Sequence, residues 1–196
     1  MPAPLAPSLV LASGSPRRRE LLAALGLSFE VEVPDVDESQ RPGEAPDVMV
    51  LRLASAKARA VAARRAPGLP LVIAADTTVV LDGEAIAKPR DLAEAAAFVA
   101  RLAGRAHVVH TGHAVRLGGR EVKALRSTVV RFRALEPQEI EAYAATGEGL
   151  DKAGGYAIQG LGATLIEGID GCYGAVVGLS LPAVVLAARE LGVRLV

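Results

Sequence analysis

The chain has 196 residues, with 22 Lys and Arg against 22 Asp and Glu, no Trp, and one cysteine, Cys172. Such a length fits one domain over 1–196 or two lobes around a cleft. The balanced charge argues against a nucleic-acid partner, and a lone cysteine excludes an internal disulfide and fits a reducing compartment. Residues 1–7 show no basic leader, and no run reaches the roughly 20 apolar residues of a membrane span, so the expectation is a cytoplasmic protein with no membrane partner.

In chain order, residues 8–12 form a short apolar run that predicts a buried strand, broken by Ser13-Gly14-Ser15-Pro16. Ser15 is placed to cap, and Pro16 to open, a helix over 17–25 that carries Leu21, Leu22 and Leu25 on one face and stops at Gly26. A strand is expected over 29–33, then a polar loop from Asp35 to Pro46. Asp47 is expected to cap an Ala-rich helix reaching about Arg65, with Val50, Leu51, Ala54 and Ala58 toward the core. Residues 71–75 and 77–81 read as strand up to an Asp82-Gly83 turn, and Asp91 caps a helix through Leu102. Residues 106–117 and 120–133 flank Gly118-Gly119 as a hairpin. A helix over 136–145, a Gly-rich polar stretch over 147–162, a strand over 164–169 and a helix over 181–191 close the chain. Strands alternating with helices, plus one hairpin, predict an α/β fold with a mixed sheet.

Four segments carry chemistry. In Ala12-Ser13-Gly14-Ser15-Pro16-Arg17-Arg18 a strand passes through small residues into a helix start, where free N–H groups and the helix dipole favour an anion and Arg17 and Arg18 add charged donor forks; a basic surface helix start is the plainer reading. The segment lacks the Gly-Lys-Ser/Thr ending of a Walker A loop. Asp76 interrupts an apolar stretch, and a buried carboxylate is costly unless it is paired or bound to a cation. Lys88, after the Asp82-Gly83 turn, could reach a phosphate or stand in solvent. Between Gly147 and Gly160 charges alternate with glycines, and Gln159 can both donate and accept at a base edge. Glu38 is a candidate metal ligand in an acidic loop. Lys57, on an Ala-rich helix, reads by itself as a snorkelling lysine. His107, His110 and His113 recur at a spacing that does not share one strand face, which excludes a zinc site.

Taken in order, Ala12-Ser13-x-Ser15-Pro16-Arg17-Arg18, Asp37-Glu38, Ala75-Asp76-Thr77, Lys88-Pro89 and Asp151-Lys152-Ala153-Gly154-x-Tyr156-x-Ile158-Gln159-Gly160 resemble the pattern of the Maf family of nucleotide pyrophosphatases. Each piece is short, but five in order are specific. The resemblance implies a mixed, strongly twisted sheet flanked by helices around a central cleft, a homodimer, and hydrolysis of a nucleoside triphosphate to monophosphate and pyrophosphate with Mg²⁺ or Mn²⁺. It implies Asp76 as proton acceptor and, with Glu38, as metal ligand. Arg17, Thr77 and Gln159 match the substrate-specificity positions; Ser13, Arg18, Lys57, Lys88 and Lys152 match positions near the substrate. The Asp76-Thr77 pair resembles the dTTP/UTP branch. The alternatives are a 7-methyl-GTP or inosine-type pyrophosphatase, or a non-enzymatic nucleotide-binding regulator of cell division. The chain departs from the pattern at Ala87, where Gly is usual, at Ala175, where Asn is usual, and at Ser180, where Pro is usual.

Overall fold

An apolar tripeptide makes strand β1 (Leu9–Leu11), buried along its length in the computed structural model, which describes residues 7–65 and 68–196. Residues 1–6, most of the stretch that the leader reading concerns, lie outside the described residues. Helix α1 (Pro16–Ala23) starts as its sequence predicts, with Pro16 in the first turn and the Ser15 side chain accepting from Arg18 N. Strand β2 (Glu30–Val31) is shorter than the apolar pattern suggests. Helix α2 (Pro46–Arg64) corrects one expectation: Ala45, not Asp47, holds the cap position. Pro46 already fills the first turn, and the Asp47 carboxylate accepts from Val48 N at 2.9 Å inside the helix. The buried stripe of α2 runs through Val50, Leu53, Ala54, Lys57, Ala58 and Val61, so Leu53 replaces Leu51 in the core.

Residues on both sides of Asp76 form one strand, β3 (Leu71–Leu81), which turns at Asp82 and Gly83, both with positive φ, into a short strand β4 (Glu84–Ile86) that the sequence does not announce. Helix α3 (Leu92–Leu102) is capped by Asp91, whose carboxylate accepts from Glu94 N at 2.8 Å. The hairpin is present as β5 (Ala106–Leu117) and β6 (Arg120–Phe132). Helix α4 (Pro137–Ala145) opens on a capping box of Glu136 and Glu139. Two 3-10 segments (Ala153–Gly155 and Gly160–Leu165), strand β7 (Ile166–Asp170), a short helix α5 (Tyr173–Val177) and helix α6 (Leu181–Glu190) follow.

The strands form a mixed seven-stranded sheet in the order β2-β1-β3-β5-β6-β7, with β4 paired to β3. β1 is parallel to β2 and β3; β3–β4 and β6–β7 are antiparallel. The α/β class read from the sequence stands. No helix among the described residues is long and apolar enough to cross a membrane.

The chain divides into two compact units. The first holds residues up to Asp76, Thr111–Leu125 and Gly178–Val196. Its sheet is covered on both faces, as parallel strands require. One core joins Leu9, Leu11, Leu71 and Ile73 to Leu22 of α1 and to Val184, Ala187 and Ala188 of α6. The other joins Val10, Val72 and Ala74 to Ala54, Ala58 and Val61 of α2. Small residues let α2 lie close: a Cβ on Gly112 would stand 2.5 Å from the Val50 backbone. The second unit, Thr77–His110 and Arg126–Val177, packs Val79, Leu81, Val99, Leu102, Val130 and Phe132 with Tyr143 and Tyr156 in a core of its own.

Candidate functional site

Alternation along β3 sends Leu71, Ile73 and Ala75 into the α1/α6 core and Val72 and Ala74 into the α2 core. Asp76 continues the second set and meets Lys57 of α2. Asp76 is 8% exposed and Lys57 5% exposed. Lys57 Nζ donates to Asp76 Oδ1 at 2.6 Å and stands 2.8 Å from Glu38 Oε1. Lys57 is therefore not a snorkelling lysine. It sits on the buried stripe of α2, where an ammonium is tolerable because two carboxylates meet it.

The strand-to-helix turn supplies the second half of this cluster. Ser13 is buried, and its Oγ accepts from Ser15 N at 3.2 Å and from an Arg18 guanidinium nitrogen at 3.4 Å. Arg18 Nε donates to the Gly178 carbonyl at 2.9 Å. Burial lowers the Arg18 pKa from its ordinary value, the charges of Asp76 and Glu38 oppose that shift, and Arg17 adds to it. An arginine nonetheless stays charged, so the turn keeps its positive field. The first unit thus assembles Ser13, Arg18, Glu38, Lys57 and Asp76 into one electrostatic cluster, with Arg17 acting on Arg18 beside it.

The remaining predicted residues belong to the second unit. Thr77 follows Asp76 in β3 and is half-buried, while Lys88 and Gln159 are exposed. Lys152 is half-buried and its Nζ donates to the Glu148 carbonyl and to Asp151. Gly154 N donates to the Ala87 carbonyl at 3.1 Å, which ties the Lys152 loop to the chain entering Lys88. Ala87 is exposed, so its methyl group is accommodated where the family pattern has Gly. The loop is closed by Glu148, whose role the sequence does not disclose. Its carboxylate oxygens accept from Leu161 N and Gly162 N, both at 3.0 Å, and from the Tyr143 hydroxyl at 3.4 Å. Tyr143 in turn accepts from Ala157 N at 3.0 Å, and burial pushes its pKa up to about 12. A Cβ on Gly149 would fall 1.9 Å from the Gly155 carbonyl oxygen, so no other residue fits there.

A family model described as "Maf-like protein" matches residues 8–191. The dTTP/UTP pyrophosphatase of Symbiobacterium thermophilum is 50% identical over 94% of this chain and 94% of its own. That of Myxococcus xanthus is 51% identical over 95% of this chain and 94% of its own, and that of Deinococcus radiodurans 48% over 98% and 97%. The chain belongs to the Maf family. The family pattern that runs through its sequence therefore marks common descent over nearly the whole chain, and the α/β fold with its mixed sheet is a Maf fold.

Among the described residues no group of three or more His, Cys, Asp or Glu gathers as a metal set. The histidines are engaged elsewhere: His107 with the Tyr156 hydroxyl, His110 with Ser127 Oγ, and His113 with Ala124 O and Ser180 N. What this Maf chain offers a cation is two hard oxygen donors on one ammonium, Asp76 buried and Glu38 with a carboxylate 56% exposed. That donor set fits Mg²⁺ or Mn²⁺, which takes one or two carboxylates and keeps several waters.

Proposed function

We propose that the chain hydrolyses dTTP and UTP to the monophosphate and pyrophosphate by attack of water on the α-phosphorus. The observation that carries this reading is the buried Lys57–Asp76 pair, 2.6 Å apart, in the cluster that also holds Arg18 and Ser13. Arginines and lysines suit a polyphosphate. A buried acid beside them repels one, and its use is to move a proton. A nucleotide-binding regulator needs the cations and not the acid. The names of the relatives supply the pyrimidine nucleotides.

In this mechanism Arg17, Arg18 and Ser13 hold the phosphates at the start of α1; Lys88 and Lys152 are candidates for the phosphates through the family resemblance alone. Lys57 fixes Asp76 through Oδ1, and Asp76 Oδ2 takes the proton of the attacking water. The new bond joins that oxygen to the α-phosphorus; the bond from the α-phosphorus to the bridging oxygen breaks, and pyrophosphate leaves with the electron pair. A divalent cation held by Glu38 and Asp76 would supply charge neutralisation at the phosphate oxygens. Positioning and electrostatics carry most of the rate in such a transfer. Thr77 and Gln159 select the base, Gln159 by pairing with the O4/N3 edge of uracil or thymine.

The test is pyrophosphate release from dTTP, UTP, CTP, dATP, ITP and 7-methyl-GTP, with Mg²⁺ or Mn²⁺ and with EDTA. Metal-dependent release from dTTP and UTP is the expected result. Release from another nucleotide keeps the reaction and overturns the base assignment. No release by folded protein that still binds a nucleotide points to the regulator instead.

A further inference from the structure

His113 lies in β5 and is completely buried, as is Ser180 at the start of α6. The two imidazole nitrogens have different partners. Nδ1 lies 3.2 Å from the Ala124 carbonyl, which can only accept, so Nδ1 carries the proton. Nε2 is then the acceptor for the backbone N–H of Ser180 at 2.8 Å. Both partners are satisfied in one tautomer, which locks the ring. The Ser180 side chain makes a separate bond, accepting from Ala183 N at 3.3 Å as the cap of α6. Two residues before it, Gly178 turns the chain with φ of 131° and presents the carbonyl that Arg18 Nε reaches at 2.9 Å.

We infer that His113 is a positioning residue for Arg18, acting through the Ser180 N–H and the Gly178 carbonyl. This rests on the proposed reading of the Arg18 cluster as a phosphate site. The chain of contacts runs from a buried ring, through a glycine turn, to the guanidinium. Each link lies within the first unit and has hydrogen-bond length. The ring fixes the Gly178–Ser180 backbone, and the Gly178 carbonyl together with Ser13 Oγ sets the orientation of the guanidinium before a phosphate arrives. A prolyl residue at 180 has no N–H, and with it the link would be missing. The serine at this position, a departure from the family pattern, is what gives His113 its donor.

Asparagine and glutamine separate the two ring nitrogens. In His113→Asn the amide can reach the Ala124 carbonyl but not Ser180; in His113→Gln the side-chain oxygen reaches the place of Nε2 and can accept from Ser180. The measurement is pyrophosphate binding by calorimetry alongside dTTP kinetics. His113→Asn should raise the pyrophosphate Kd and the dTTP KM by about tenfold with kcat changed less, inside the roughly 10²-fold that a misplacement of about 1 Å can cost. His113→Gln should restore both. In an Arg18→Gln background His113→Asn should add nothing further.

A second pair of variants leaves the ring untouched. Ser180→Ala keeps the N–H and loses the cap, and should leave pyrophosphate binding within about twofold; Ser180→Pro, at a φ of −84° that proline tolerates, should weaken it as His113→Asn does. Losses that add to that of Arg18→Gln, or equal effects of Ala and Pro at 180, overturn the inference alone. Wild-type protein that neither binds nor releases pyrophosphate overturns the phosphate-site reading and the inference with it.

Discussion

Lys57 holds two carboxylates whose repulsion it cancels, and the cluster is sensitive to which of the three is removed. Asp76→Asn keeps an oxygen for the Lys57 ammonium to donate to and removes the proton acceptor. Turnover should fall by about 10²–10⁴-fold with the protein still folded; near-normal turnover would sink the assignment. Lys57→Met leaves Asp76 buried without its cation, a loss of about 3–5 kcal/mol by comparison with other broken buried pairs. Adding Asp76→Asn to Lys57→Met should recover part of that stability in urea titrations, and a strictly additive double variant would show that the pair is not coupled. Asp76 was legible in the sequence, because a carboxylate within an apolar strand demands a partner. Lys57 was legible only through the family pattern. Read on its own it looked solvated, although its place between Leu53, Ala54, Ala58 and Val61 puts it on the buried stripe. The 19-residue separation of its partner is what hides the pairing from local patterns.

At the scale of elements, capping residues were legible where the first turn left them a role. Asp91 and Ser15 cap as read; Asp47 does not, because the helix already opens at Pro46 with Ala45 as its cap, two residues earlier. Asp91→Ala should therefore cost about 0.5–2 kcal/mol of stability, measurable by denaturant titration, and Asp47→Ala distinctly less. The Gly147–Gly162 stretch was readable as polar and glycine-rich but not as a structure. Its 3-10 segments have no periodic signature, and Glu148 reaches partners 13 and 14 residues away. Glu148→Ala leaves the Leu161 and Gly162 N–H groups without their acceptor; Leu161 is exposed and can turn to water, whereas the buried Gly162 N–H costs about 1–3 kcal/mol. It should raise the dTTP KM more than it lowers kcat, since the loop carries Lys152 and Gln159. An unchanged KM would separate Glu148 from substrate binding. On the same loop, Gln159→Ala should narrow the preference for dTTP over CTP by about 1–3 kcal/mol, and an unaltered ratio would count against a base-reading role.

For the molecule as a whole, the α/β class followed from alternating strand and helix patterns. The length allowed one domain or two lobes, but where the two units divide did not show, because β3, β5 and β6 each contribute to both and no linker marks a boundary. The second unit contains an acid-sensitive element. His107 is buried against Phe132 and Tyr156, its Nδ1 has no hydrogen-bond partner among the described residues, and desolvation pushes its pKa down from 6.5 to about 4. The folded state holds this ring neutral while the unfolded state takes up a proton below pH 6.5, so stability falls as pH drops from 6.5 toward 4 and levels off below. The size is about 3 kcal/mol at most. Denaturant titrations at pH 7 and pH 4 should show a smaller difference for His107→Gln than for wild type; equal differences would remove His107 as the source. The same cluster has an optical consequence. The chain has no Trp and 3 Tyr, and all of them, Tyr143, Tyr156 and Tyr173, lie in the second unit. Tyrosine emission therefore watches only that unit, and melting of the half that carries Lys57 and Asp76 would pass unseen by it unless a Tyr or Trp were placed there.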